Sequence, residues 1–302
     1  MPLSKRTRRR LEKVGELFTP VLFPPLRTAM AALPFPLLRA ICRGLSFLWY
    51  LLPSRRKRIG AANLSLVFGE DREGILRKAM EHTVANLLEF PRFAKLSPEE
   101  IKGRVRIEGE GHLREARRRR KGVVLVSCHL GNFPLMCWRL SLEGYPVAAI
   151  AKMPRSRPLA RIITGYMEEK GILFIDGGRR QEAAKKGLRH LGAGGVLFVQ
   201  LDQNPPYRDT MVEFFGHPVP TFRGPVLLAE RAGAEVLPAF VVEEAPGRHV
   251  IFIEPPYGLK RGEIATNLRG LMAILEEYIR RYPEQWWWWH RRWKDHIDYR
   301  RL

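Results

Sequence analysis

From Val105 onward, short apolar runs alternate with segments of helical period. The runs predict strands at Val105–Ile107, Val123–Cys128, Val147–Ala151, Ile172–Ile175, Val196–Leu201, Val236–Val242 and Val250–Ile253. Between and after them, Gly109–Arg120, Asn132–Leu142, Pro158–Lys170, Arg180–Leu191, Phe222–Ala232 and Ile264–Arg281 read as helices. Such alternation predicts an α/β fold: a mixed, mostly parallel sheet flanked by helices. Upstream, residues 59–97 read as two helices separated by turn signals at Gly69–Asp71. Ile75, Ala79, Thr83, Ala85 and Leu88 recur at roughly helical spacing there.

The pattern over residues 14–53 is different. It is apolar but broken by Pro20, Pro24, Pro25, Arg27, Pro34, Pro36, Arg39 and Arg43. No window reaches the ~18 uncharged apolar residues of a spanning helix. A cleaved leader fits poorly, because the apolar stretch is interrupted and no clean cleavage site follows. The expected form is a set of short amphipathic helices lying in a membrane plane. Phe18, Leu22, Phe23, Phe35, Leu37, Leu38, Phe47, Leu48 and Trp49 would enter lipid while arginines meet headgroups. The alternative is that the same residues pack on the protein's own body. Residues 1–58 are thus expected to form a basic, apolar membrane-associating segment. Residues 59–302 would form the α/β domain, with 59–104 as its helical lead-in.

Composition supports that division. The 302 residues are 45% hydrophobic and 27% charged, enough for a full core. The net charge of +21 calls for a polyanionic partner. Thirteen Lys and Arg against two Asp and Glu fall in the first 58 residues, mixed with apolar runs. Nucleic-acid arms are basic and polar, so this mixture favours an anionic membrane surface over nucleic acid. Cys42, Cys128 and Cys137 are odd in number and lack metal-ligand spacing, which reads as reduced thiols. There is no GxGxxG or Walker loop.

Candidate chemistry centres on Gly122–Trp138, GVVLVSCHLGNFPLMCW. His129 ends an apolar strand, and open α/β sheets place ligands at carboxyl strand ends. A neutral imidazole there can take a proton from a hydroxyl; the alternative is a histidine satisfied by a backbone partner. Cys128 points to the opposite face and reads as core. Asn132 is a good helix N-cap, and Gly131 and Asn132 line the turn where substrate would sit. Asp176 and Asp202 end other strands. Either could reach the same rim, or cap its own turn. Lys152, Arg155, Arg157 and Lys170 could bind phosphates, or form a solvated basic face.

HLGNF after VVLVS resembles the HX4(D/E) block of lysophospholipid-type acyltransferases. More specifically, the chain resembles the bacterial lipid A late (lauroyl/myristoyl) acyltransferases. RRKRIGAANLSLVFGE is similar to that family's Arg-rich entry helix, and VLFVQLDQN to its strand ending in Asp. VEFFGHPVPTFRGPVLLAERAGAEVLPAF and PEQWWWWHRRWK resemble two further blocks in the same order. The resemblance implies His129 as the base that activates an acceptor hydroxyl, with backbone amides near Gly131 or a basic side chain receiving the oxyanion. Phe215 and Thr221 would shape the acyl pocket wall and loop, with Phe215 equally a core residue or a ligand contact. Donor and acceptor would be acyl-acyl carrier protein, or acyl-CoA, and a lipid A precursor or related glycolipid. The place would be the cytoplasmic face of a bacterial inner membrane, with no metal, no cofactor and no nucleic acid. One position departs from the pattern. The acid five residues after the histidine is replaced by Pro134. Three readings follow: Asp176 or Asp202 replaces it, His129 works alone, or the chain binds lipid or carrier without turnover.

Overall fold

The structure, a computed structural model, describes residues 25–302 other than 26, 70–71, 154–155 and 206–208. Phe18, Leu22, Phe23, Arg155 and the basic leader lie outside the described residues.

Seven strands form one sheet in the order β1-β9-β8-β2-β5-β3-β4. They are β1 (Val105–Glu108), β2 (Val123–Ser127), β3 (Val147–Ala151), β4 (Leu173–Asp176), β5 (Val196–Gln200), β8 (Glu235–Ala245) and β9 (Arg248–Ile253). β8, β2, β5, β3 and β4 run parallel. β9 pairs antiparallel with β8, and β1 lies parallel to β9. The architecture is therefore the mixed, mostly parallel α/β sheet that the hydrophobic pattern predicts. β2 lies in the interior and is buried along its whole length, as its unbroken apolar run requires. Alternate residues feed two cores. Val124, Val126 and Cys128 face one with α9 (Gly224–Ala232) and α10 (Ile264–Arg281). Val123 and Leu125 face the other with α5 (Glu110–Arg118) and α6 (Phe133–Leu142).

A second, two-stranded sheet, β6 (Thr210–Phe214) and β7 (His217–Thr221), is absent from the sequence reading. Pro218 and Pro220 hide β7, since proline is tolerated only in strands with an open edge. Phe215 and Gly216 both take positive φ, 52° and 74°, as a two-residue type I′ hairpin needs.

The amino-terminal helices are α1 (Phe35–Leu51), α2 (Arg55–Phe68) and α3 (Glu73–Ala94). Among the described residues no single helix is long and apolar enough to cross a membrane; α1 and α2 together pass that test by length and composition but are bent by 88°. α1 packs on α3 through Leu38, Arg39 and Cys42. Arg39 is buried between Glu89 of α3 and Glu243 of β8, 2.8 Å from the former and hydrogen-bonded to the latter. The expected lipid-facing set divides accordingly. Phe35 and Leu38 are buried, and Trp49 packs against Trp289 in a tilted pair with ring centroids 4.9 Å apart. Leu37, Phe47 and Leu48 are half exposed, and Leu45, Leu51 and Leu52 extend their stripe.

α2 clamps the carboxyl-terminal segment. Asn63 Nδ2 donates to the carbonyls of Trp288 and His290, and Arg56 donates to that of Trp289. Gly60 allows this approach, since a Cβ there would stand 2.3 Å from the Trp289 ring. Trp286, Trp288, Trp289 and Trp293 are consequently buried, and only Trp287 of this run is exposed.

Candidate active site

Two neighbouring strands build the centre of the site. β2 and β5 are parallel, with Ser127 opposite Gln200. Continued for two residues, the same register sets His129 beside Asp202, about one strand spacing (~4.8 Å) away. The Leu201 amide donates to the Ser127 carbonyl at 3.1 Å, which holds the two chains together past the last ladder pair. His129 Nδ1 lies 2.8 Å from Asp202 Oδ1. Asp202 Oδ2 accepts the His129 amide at 2.9 Å and the Trp286 indole N–H at 2.8 Å. The carboxylate is 1% exposed. Burial pushes its pKa upward, but the adjacent His129, with its ring and backbone N–H groups, and the Trp286 indole outweigh that and hold it below the ordinary carboxylate range. A carboxylate on Nδ1 selects the tautomer that leaves Nε2 free to accept a proton. The His129 side chain is 23% exposed, so the imidazole is the part of the pair that meets solvent.

The turn after β2 is fixed from the other side. Leu130 forms an antiparallel bridge with Trp286. The His129 carbonyl accepts the Trp287 amide, and the Gly131 amide donates to Gln285 O, both at 3.0 Å. Gln285 also bonds the backbone of Glu243 in both directions at 2.8 Å. Gly131 has φ 57°, and a Cβ there would stand 2.1 Å from the Val241 carbonyl oxygen. Only glycine fits both demands. Below Asp202, Asn204 donates to the Arg291 and Arg292 carbonyls and accepts from the Arg292 guanidinium at 2.6 Å. Its amide donates to His290 Nε2, so that imidazole is an acceptor.

Pro134 sits in the first turn of α6, where its missing N–H costs nothing, and Asn132 Oδ1 caps the Leu135 amide at 3.2 Å. The position filled by an acid in the resembled pattern is here a helix-start residue, and the carboxylate at the histidine comes from Asp202, two residues past the end of β5.

The other sequence-predicted residues are placed differently. Asp176 lies three strands from β2 and, by the chain of registers, level with Ser127 rather than His129. That amounts to roughly 14 Å across the sheet. Its Oδ1 accepts the Gly178 and Met153 amides, so it caps its own turn and does not join His129. Gly131 has no free amide for an oxyanion, and Asn132 is a buried helix cap. Lys170 follows α7 (Arg157–Glu169) at the opposite rim of the sheet. It bonds the Ala94 carbonyl and lies 4.3 Å from the centroid of the Trp138 ring, so its charge serves packing. Lys152 is exposed beyond β3; Arg157 begins α7, and its side chain is outside the described set. Phe215 is buried against Phe214 and Trp293, with its amide on Glu276. Thr221 is fully buried and receives the Arg292 guanidinium at 2.8 Å. Both are wall and anchor residues of the hairpin.

The sequence model of the bacterial lipid A biosynthesis acyltransferases matches residues 17–295. The chain belongs to this family. It is an acyltransferase on that ground. Among curated relatives, the lipid A biosynthesis lauroyltransferase of Escherichia coli K12 is 24% identical over 272 residues, covering 87% of each chain. A solved structure, the 1-acyl-sn-glycerophosphate acyltransferase PlsC of Thermotoga maritima, is 16% identical, with a TM-score of 0.37. The match covers 75% of this chain and 95% of that one, and at this distance it supports no assignment. Sequence reasoning about this acyltransferase missed Trp286, His290 and Arg292 as partners of the Asp202 loop. The PEQ-aromatic-HRR run was the available signal, but nothing in its spacing says that it folds back beneath the β2 and β5 ends.

Proposed function

We propose that the chain transfers a fatty acyl group from acyl-acyl carrier protein, with acyl-CoA as the second donor, to a hydroxyl of a lipid A precursor or related glycolipid. His129 Nε2 takes the proton of the acceptor hydroxyl as its oxygen attacks the thioester carbonyl. Asp202 Oδ1 holds Nδ1–H and stabilises the imidazolium that forms. The tetrahedral oxyanion collapses, the C–S bond breaks, and the departing thiolate regains a proton from His129. Asn132 and Phe133 are the turn residues whose backbone amides have no acceptor among the described groups, so they are the nearest donors for the oxyanion. The observation that carries this reading is the 2.8 Å contact between His129 Nδ1 and a fully buried carboxylate, with the ring itself reachable from solvent.

The work takes place at a membrane surface, on the cytoplasmic face of a bacterial inner membrane. What supports this is the outward stripe of Leu37, Leu45, Phe47, Leu48, Leu51 and Leu52 on and just past α1. Such a face, bordered by basic residues, suits the headgroup boundary.

Transfer of a radiolabelled acyl chain from acyl carrier protein to the glycolipid in mixed micelles is the test. Wild type should turn over and His129→Ala should not. Pro134→Glu should give no gain, because the imidazole already has its carboxylate. An inert wild type made active by Pro134→Glu would instead identify a homologue that has lost turnover.

A further inference from the structure

Beside the apolar stripe of α1 runs a groove of about 440 Å³ between α1 and the start of α3. Its walls carry Arg43, Phe47 and Tyr50 from α1, and Arg77, Lys78 and Glu81 from α3. Arg43 pairs with Glu81 at 3.1 Å, which neutralises one cation. Arg77 and Lys78 are exposed and, among the described residues, have no ion-pair partner. The Arg77 guanidinium lies 5.5 Å from the centroid of the Tyr50 ring, a cation–π contact that orders it without satisfying its N–H groups. Among the described residues the groove therefore holds two positive charges without an ion-pair partner over an aromatic floor. Phe47, 51% exposed, is shared between the groove and the lipid-facing stripe.

A soluble polyanion would need the charges but not the adjoining apolar face; a neutral bilayer would need the face but not the charges. Both together match an amphiphile with a phosphodiester at its polar end and acyl chains beside it. α3 also sets how far this lies from the chemistry. Asn86 on the same helix donates to the Gly131 carbonyl at 3.3 Å. Lys78 and Arg77 precede it by eight and nine residues, or about 12–13 Å along the axis. The groove thus lies off the catalytic turn and does not share its residues.

We propose that this groove is a headgroup socket for an anionic phospholipid of the bilayer, which is not a substrate, and that filling it fixes how the catalytic rim meets the membrane. The proposal rests on the membrane-surface reading above. Full-length protein is mixed with vesicles of phosphatidylcholine alone, or with roughly a third phosphatidylglycerol, and partitioning is measured by sedimentation. Wild type should bind both, and the anionic vesicles more than tenfold better. Arg77→Gln/Lys78→Gln should abolish that preference, since two basic residues at roughly fivefold each account for about 25-fold, while binding to phosphatidylcholine stays unchanged. Arg118→Gln/Arg120→Gln removes the same charge from exposed positions at the opposite rim of the sheet and should leave the preference intact. Equal losses in the two double variants would overturn the socket in favour of net charge. Displacement by inorganic phosphate would overturn it in favour of a free anion site. Equal binding of wild type to both vesicles would refute the socket alone, and binding to neither would refute the membrane reading with it.

Discussion

Asp202→Asn removes the charge of the buried carboxylate with almost no change of shape. The carboxylate takes three N–H groups: the His129 ring at Oδ1, and the His129 amide and Trp286 indole at Oδ2. An asparagine can keep its oxygen toward the last two, because both would otherwise be stranded in the core. Its NH2 then faces His129 Nδ1, and two donors cannot share that contact. The imidazole must change tautomer, with Nδ1 accepting and the proton on Nε2, where the acceptor hydroxyl should deliver its own. The expected loss is about 10²–10⁴ in kcat, or roughly 3–5 kcal/mol of barrier, with KM unchanged because no substrate contact is lost. The variant should unfold cooperatively. Asp202→Ala would be a poorer probe, since each stranded donor costs about 1–3 kcal/mol. The assay is single-turnover acyl transfer from acyl carrier protein, with Asp176→Asn run alongside and expected to match wild type. Full activity in a folded Asp202→Asn protein would show that Asp202 is only a turn residue.

Two stability predictions follow from the buried charges. Arg39→Ala leaves Glu89 and Glu243 facing each other inside the protein and should cost about 3–5 kcal/mol by denaturant unfolding; a loss below about 1 kcal/mol would refute the view that this triad ties α1 to the body. Burial already pushes Glu89 up to about 7, despite Arg39, and adds to a like charge at Glu243, so the cost should be larger at pH 8 than at pH 6. Burial, with Arg39 and His82 nearby, also lowers His249 to about 3. Burial, with Arg292, His129 and Lys294 outweighing the pull of Asp202, lowers His290 to about 4. Both stay neutral in the fold while their unfolded counterparts protonate near 6.5. Their contribution is therefore complete above about pH 6.5 and is lost as pH falls toward the folded values, by about 1.4 kcal/mol per pH unit for each. His249→Phe should flatten that slope between pH 6 and 4; an unchanged slope would contradict the assignment.

The fold was legible because its interior strands β2 and β5 are buried on both faces and read as unbroken apolar runs. VVLVSCH and VLFVQLD also carry the site in a readable form, each ending in a titratable residue at the seventh position. What the chain does not state is strand order. With β5 beside β2, Asp202 meets His129; with β4 there instead, Asp176 would have been the nearer acid. Long-range closure was equally hidden. Trp286 bonds a carboxylate 84 residues away, and it is held there by long-range contacts: the bridge to Leu130, the Gln285 bonds to the Glu243 backbone, and the packing of α2 against the carboxyl-terminal segment. Lys170 looked like a phosphate ligand because charge is visible in sequence, whereas the Trp138 ring beneath it is not. The α1 helix divided its apolar residues between protein and solvent because a buried arginine, Arg39, points its other face inward.

In the proposed mechanism His129 and Asp202 act as one unit in acyl transfer. A double-mutant cycle on kcat measures this directly, using His129→Ala, Asp202→Asn and the pair together. If the carboxylate works only through the imidazole, the double variant should be no slower than His129→Ala alone. Losses that multiply, with the double variant slower by the product of the two single effects, would mean that the residues contribute separately and that the dyad is not the catalytic device.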